Sequence, residues 1–387
     1  MDFNFKEEQL QLGDALKRWI AREYGMEARR AIVASQEGVS RAAWAGLTEL
    51  GLTALPLPEA QGGFDGGAVD MFVVMQELGR GLLVEPYFAT VLGAEFLRRG
   101  GAHGALLERV AAGELRLACA LGERQSRHEL RDIATRAERV DGVGGGWRLS
   151  GEKKVVLHGA QAGVLIVSAR SGGAQRDEAG ISLFALAADA PGLHITEYRT
   201  LDGRRAADLR LDGVRVDDAA LVGGPGAGWP ILEAAADYGA GLLCAEAVGA
   251  MDALFGATLD YLKTRQQFGV PIGKFQALQH RMADMYIHLE QARSMALLAA
   301  VRLDGDDADG ANERRRAVSA AKYRVGMAAR FVGQQAVQLH GGMGVTDELP
   351  AAHYFKRLST IELQLGDCDH HLARFIAQPG FAEGAPA

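Results

Sequence analysis

The chain has 387 residues, 48% hydrophobic and 24% charged, with a net charge of −7. At roughly 150 residues per domain, that length implies two or three domains, with enough apolar mass for a sizeable core. The acidic balance argues against a nucleic-acid partner or an anionic membrane surface. The absence of a run of about 18 uncharged apolar residues argues against a membrane span.

The opening residues Met1-Asp2-Phe3-Asn4-Phe5-Lys6 have no basic or apolar leader character, so no secretory signal is expected. Residues 3–23 place Leu10, Leu12, Leu16, Trp19 and Ile20 at helical spacing, with Asn4 as expected cap and Glu7 completing a capping box. A second helix is expected over 40–55, capped by Ser40 and stopped near Gly51. The segment with Pro56, Pro58 and glycines 62, 63, 66 and 67 reads as loop, and helical patterns resume at 68–80 and 86–112. From 116 to 222, short β-rich runs such as Val164-Leu165-Ile166-Val167 alternate with glycine turns, which predicts an antiparallel sandwich or barrel. After 223–230 the helical period returns and holds to about 376, with one polar break at 304–312. The fold class is therefore α+β multidomain: an N-terminal helical domain (1–115), a middle antiparallel β domain (116–225), a C-terminal four-helix bundle (226–378) and a disordered tail (379–387). Cys119, Cys244 and Cys368 are odd in number and lack CxxC spacing, which opposes a disulfide framework or zinc site and fits a reducing cytoplasm.

Two segments of the last domain carry chemistry. In Tyr261–Gln279, one helix is expected to end near Gly269 and another to begin near Lys274, with Arg265 and Phe268 on one face of the last turn. An arginine beside an aromatic suits a diphosphate and a purine, while a helix corner with a solvated arginine has the same spacing. In Gln338–Pro350, glycines 341, 342 and 344 suit close backbone approach to phosphate oxygens, or equally a helix C-cap.

Taken together, RxQFGxPIxxFQxxQ followed by QxxGGxGxxxExP, in the order helix–β–helix, resembles the acyl-CoA dehydrogenase family over nearly the whole chain. The resemblance implies FAD, an acyl-CoA thioester substrate, a role in fatty-acid or steroid side-chain β-oxidation, and an electron-transfer flavoprotein or similar acceptor. It places Arg265, Phe268 and Gln276 on one side of the FAD, with Gln338, Gly341 and Gly342 on the other side, from a neighbouring subunit. Asp237 and Thr135 fall at positions near substrate.

The chain also departs from the family pattern. Where a Thr-Glu-Pro segment is expected it has Gly122-Glu123-Arg124, and where a Trp-x-Thr segment should flank the flavin ring it has Val155 and Leu157. Neither replacement carries a hydroxyl. His128 is a candidate acid–base group in a polar loop, although a lone histidine there is also an ordinary surface residue. Proton abstraction α to a thioester needs a carboxylate, yet the family's usual base position holds Leu365 and its earlier-helix alternative holds Gly239. Ala240 stands where many members use an arginine. Asp367, Glu246 and Asp237 are the remaining acidic candidates, with Asp237 suited more to binding. Glu246 is about 10 Å along the helix from Gly239. His370-His371 reads as a helix N-terminus, with no metal expected.

GEKKVVLHG, QLHGGMGVTDELPAAHYFKR and GDCDHHLARF resemble the smaller subunits of bacterial heteromeric acyl-CoA dehydrogenases of the steroid side-chain or pimeloyl-CoA type. The implied arrangement is a heterotetramer with a related chain that supplies the base. A self-sufficient homo-oligomer using Asp367 and a flavin-less structural subunit are the alternatives.

Overall fold

A computed structural model of the chain describes residues 5–140, 145–304 and 308–378. The helices in chain order are α1 (Glu7–Glu23), α2 (Met26–Ala34), α3 (Arg41–Glu49), α4 (Ala68–Arg80), α5 (Tyr87–Gly100), α6 (Gly104–Ala111), α7 (Trp229–Thr264), α8 (Gln276–Leu303), α9 (Ala308–His340), α10 (Pro350–Leu363) and α11 (Cys368–Ile376). The strands are β1 (Leu117–Ala120), β2 (Arg136–Arg139), β3 (Trp147–Leu157), β4 (Val164–Arg170), β5 (Ile181–Ala187), β6 (Leu193–Arg199), β7 (Arg205–Val216), β8 (Gln266–Gln267) and β9 (Val270–Pro271). They form two compact units: Ile32–Gly66 with Val84–Gly239, and Met1–Ala31 with Gly67–Leu83 and Ala240–Ala387.

The first unit is built around a seven-stranded sheet of order β1-β4-β2-β3-β7-β6, with β5 paired to β4. Its core holds Trp147, Leu149, Leu165, Val167, Phe184, Leu209 and Val214, and Trp147 meets Phe184 edge-on at 5.7 Å. The sheet is mixed: β1 and β2 both run parallel to β4, while the other pairs are antiparallel. Parallel pairing needs a crossover, and here β2 and β3 occupy the connection between β1 and β4. Strand signals alone do not reveal such a crossover. Within the same unit Ser40 caps α3 as expected, accepting from Ala43 N–H at 3.2 Å. The helical pattern at 86–112 is split into α5 and α6 because Gly101 (φ 76°) ends α5 in the left-handed conformation.

In the second unit α9 packs against α8, α10 and α11. Gly249 of α7 lies so close to α4 that a Cβ there would sit 1.7 Å from the Gln76 carbonyl, so only glycine allows these helices to meet. By length and apolarity alone α7 is long enough to cross a membrane, but 67% of its most apolar stretch is buried, as in a core helix. Asn4 and the tail 379–387 lie outside the described residues. Helix α1 starts at Glu7 with Lys6 at the cap, whose N–H is taken by the Gln9 side chain at 2.9 Å. Helix α2 was not anticipated. The polar break is short, since α9 already begins at Ala308.

Candidate active site

The segment after α7 differs from the expected helix corner. The helix ends at Thr264, and residues 266–271 form a two-stranded hairpin pairing Gln266 with Pro271 and Gln267 with Val270. Arg265 and Phe268 therefore do not share a helix face. Pro271 cannot donate within a helix, and Gly269 favours a turn. Both central turn residues, Phe268 (φ 55°) and Gly269 (φ 78°), have positive φ, as a type I′ connection requires. Asparagine is the usual first residue of such a turn, and an aromatic there is strained. Phe268 is nonetheless 89% exposed, and its ring makes an edge contact with Phe275 at 6.0 Å. A strained, exposed aromatic gains nothing for the fold of this chain, and residues of this kind cluster at binding sites. Arg265 and Gln276 are also exposed.

The glycine segment adjoins the base of this hairpin. Tyr261 stacks on His340 at 4.5 Å and its hydroxyl donates to the His340 carbonyl at 3.5 Å. The two motifs therefore adjoin each other within one chain. Gln338, Gly341 and Gly342 are exposed, and a Cβ added at either glycine would meet nothing within 4 Å. Gly341 (φ 60°) is required by the backbone. Gly342 is required neither by φ nor by internal packing, which fits close approach of something from outside. An exposed arginine, an aromatic and bare backbone at one end of the bundle suit a purine dinucleotide.

The β unit builds its own loop around a buried ion pair. Lys153 Nζ lies 2.7 Å from Glu123 Oε1, with both side chains almost wholly buried. Glu123 also accepts from the N–H groups of Ala134 and Thr135 at 2.7 and 3.1 Å. Burial raises the Glu123 pKa, but the Lys153 ammonium outweighs it and holds the carboxyl below its ordinary value. The loop 121–135 is thereby fixed against β3. Lys154 N–H donates to the Gly122 carbonyl at 2.8 Å, which brings the two expected ring-flanking segments together. At this point β3 is bulged between Lys153 and Val156. Val155 adopts φ 54°, rare for a β-branched residue, and its side chain is 59% exposed. Asp208 holds the bulge, accepting from Val155 N–H, Lys154 Nζ and Tyr198 Oη at 3.1–3.2 Å. Thr135 is buried, with its hydroxyl on the Glu152 carbonyl at 3.4 Å. His128 is half-buried, and Asp237 and Gly239 are buried.

The turn at the expected base position is equally constructed. Leu365 takes φ 53° and Gly366 φ 105°. Lys322 Nζ, buried, donates to the carbonyls of Ile361, Glu362 and Gly366 at 2.8–2.9 Å. His371 Nε2 holds the Leu365 carbonyl at 2.8 Å, and burial depresses its pKa well below the ordinary value, so it is neutral and donates. Asp367 is the N-cap of α11 and accepts from His370 N–H at 2.8 Å, so His370-His371 do begin a helix. Glu246 forms a bidentate pair with Arg357, both bonds 2.7 Å, with exposures of 1% and 2%. That pairing commits its carboxylate to structure. Lys153, Lys322, Asp208 and Arg357 were not singled out from the sequence. Their roles arise from partners far along the chain, which no local spacing signals.

Three family profiles match in order: acyl-CoA dehydrogenase N-terminal domain over 6–114, middle domain over 118–215 and C-terminal domain over 226–377. The chain is 32% identical to acyl-CoA dehydrogenase FadE12 of Mycobacterium tuberculosis over 353 residues, covering 89% of each. It is 29% identical to the mitochondrial short-chain specific acyl-CoA dehydrogenase of Bos taurus, covering 82% of this chain and 77% of that one. Among solved structures, the ChsE4-ChsE5 complex from Mycobacterium tuberculosis matches with a TM-score of 0.87 at 27% identity, covering 100% of both chains. A Tcur3481-Tcur3483 steroid enzyme variant matches with a TM-score of 0.87 at 30% identity, covering 98% of this chain and 99% of that chain.

Proposed function

The chain belongs to the acyl-CoA dehydrogenase family, and we propose that it acts as the subunit of a heteromeric enzyme that holds FAD while a related partner chain supplies the catalytic base. The observation that carries this reading is the turn at Leu365. Lys322, His371 and Asp367 build it, yet the side chain it presents has no carboxylate. Two of the candidate acids are committed elsewhere, Glu246 to Arg357 and Asp367 to the start of α11.

Arg265, Phe268 and Gln276, with Gln338, Gly341 and Gly342 beside them, would hold the adenine and pyrophosphate of the cofactor. When bound, FAD supplies the acceptor for the hydride leaving the β-carbon of the acyl chain. The guanidinium of Arg265 neutralises diphosphate charge, Phe268 gives a ring for the purine, and the bare backbone at 341–342 admits close approach. In the β unit, the loop 121–127 offers backbone N–H groups to a flavin edge, and Val155 offers apolar cover. Asp237 is proposed to act near the thioester. The acceptor of the electrons is an electron-transfer flavoprotein or a similar carrier. Likeness to structures of paired, differently named chains supports the heteromeric form.

Co-expression with a related acyl-CoA dehydrogenase chain tests the proposal. A stable mixed complex that contains FAD and is bleached by acyl-CoA, beside a lone chain that is not bleached, is the expected result. Full bleaching by the chain alone, abolished by Asp367→Asn with FAD retained, would establish the self-sufficient alternative. A colourless complex would establish the flavin-less one.

A further inference from the structure

The side chains of β3 break their in-and-out alternation at the bulge. Lys153 is buried against Glu123, Val155 stands outside the core, and Val156 returns to it. Regular alternation from Lys153 would turn residue 155 inward. Lys153 pairs with Leu209 and Val156 with Ala207, so Lys154 and Val155 together face the single residue Asp208. The extra residue re-aims Val155 towards the outside, as bulges beside functional sites do.

The backbone alone does not select valine at this point. At φ 54° a glycine is free, whereas the branched Cβ of Val155 is crowded. Its side chain contributes nothing to the core of the β unit, which takes Val156 instead. Strain of this kind persists only where surrounding contacts impose it. Asp208 supplies those contacts. Its Oδ1 accepts from Val155 N–H at 3.2 Å and from Tyr198 Oη at 3.1 Å, and its Oδ2 accepts from Lys154 Nζ at 3.1 Å. Lys154 Nζ is shared with Glu152 at 3.2 Å. Burial works against the Asp208 carboxylate, but Lys154, the Val155 N–H and Tyr198 outweigh it and hold its pKa below the ordinary value. The bulge also reaches the neighbouring loop, because Lys154 N–H donates to the Gly122 carbonyl at 2.8 Å. One carboxylate therefore fixes the exposed valine relative to the loop 121–127.

We propose that Asp208 is a positioning residue for the flavin ring: by holding the bulge it sets where Val155 and the backbone of the loop 121–127 meet the cofactor. The inference rests on the flavin placement proposed above and adds the residue that fixes its geometry. Asp208 acts through Val155 and Lys154, not by touching the cofactor.

The test uses the flavin-containing oligomer in which the protein is isolated, with Asp208→Ala, Asp208→Asn and Val155→Gly. For each, the visible absorption band of bound FAD, the rate of FAD release on dilution (read by flavin fluorescence) and Tm are measured. Loss of a hydrogen bond to a charged group corresponds to about tenfold. Asp208→Ala should therefore release FAD about tenfold faster and shift the band towards that of free flavin. An asparagine oxygen still accepts from Val155 N–H, so Asp208→Asn should recover most of that change. Val155→Gly relieves the strain and adds entropy to the unfolded chain, two opposed effects that leave Tm near the wild type. Its band should nonetheless shift and its FAD release accelerate, which a purely structural bulge does not produce. Val155→Gly with wild-type band and release, or Asp208→Ala that lowers Tm and leaves both unchanged, overturns the inference while the flavin reading stands. Val155→Gly decides the matter even if Asp208→Ala fails to fold. A wild-type protein that carries no FAD, alone or with a related chain, removes the flavin reading and this inference with it.

Discussion

Removing the Glu246 carboxylate tests whether this acid is architecture or chemistry. Both oxygens face Arg357 at 2.7 Å in a site where neither residue is more than 2% exposed. Glu246→Ala leaves a guanidinium buried without its counter-charge, and breaking a buried pair from one side costs about 3–5 kcal/mol. For a chain of this size each kcal/mol moves the apparent Tm by roughly 2 °C, giving a fall of about 6–10 °C. Replacing both partners with apolar residues of similar volume, Glu246→Leu with Arg357→Met, removes the unpaired charge and should recover most of that loss. Differential scanning fluorimetry of the wild type, both single variants and the double variant completes the cycle. A single variant within about 1 kcal/mol of the wild type, or a double variant as damaged as the singles, would show that the pair is not the structural element described. Loss of acyl-CoA bleaching in Glu246→Gln at unchanged Tm and flavin content would return Glu246 to the list of candidate bases.

Phe268→Asn places a residue suited to positive φ in the hairpin turn, so Tm should hold or rise slightly while flavin retention after gel filtration falls at least tenfold; unchanged flavin content would remove Phe268 from the cofactor site. Gly342→Ala adds a methyl where the chain has open space, so stability should change by less than about 0.5 kcal/mol while flavin content drops, and a large fall in Tm would contradict the outward-facing assignment. Burial depresses Lys322 to about 8 from its ordinary 10.5. Between those pH values the unfolded chain binds more protons than the folded one, so this group's contribution to stability increases as pH rises from 8 to 10.5 and is lost as pH falls through 8. Urea unfolding across that window should show the increase in the wild type and not in Lys322→Met, provided the groups near Lys322 (Cys244, Cys368, Glu362 and Asp367) are left in place. The same slope in both would assign it to another residue.

The sequence determined those features whose cause is local. Ser40 caps α3 because a hydroxyl reaches an N–H three residues on. Gly51 and Gly269 mark chain reversals because only glycine enters positive φ freely. The helix–β–helix order follows from periodicity, and the two gapless motifs identify the family. That Leu365 and Gly239 stand where the family resemblance leads one to expect a base is likewise read by counting. The sequence misread the corner at 265–271, where Pro271 and Gly269 indicated a break but not that the break closes into a hairpin presenting Phe268.

Tertiary structure alone decided which acids are available for chemistry. Glu246 meets Arg357 across 111 residues, Glu123 meets Lys153 across 30, and Lys322 reaches the carbonyls around Leu365 from a different helix. A carboxylate in a helix has the same sequence signature whether it faces solvent, substrate or a buried guanidinium. Its role is set by desolvation and by the one partner that folding places beside it. No period or local spacing encodes that partner.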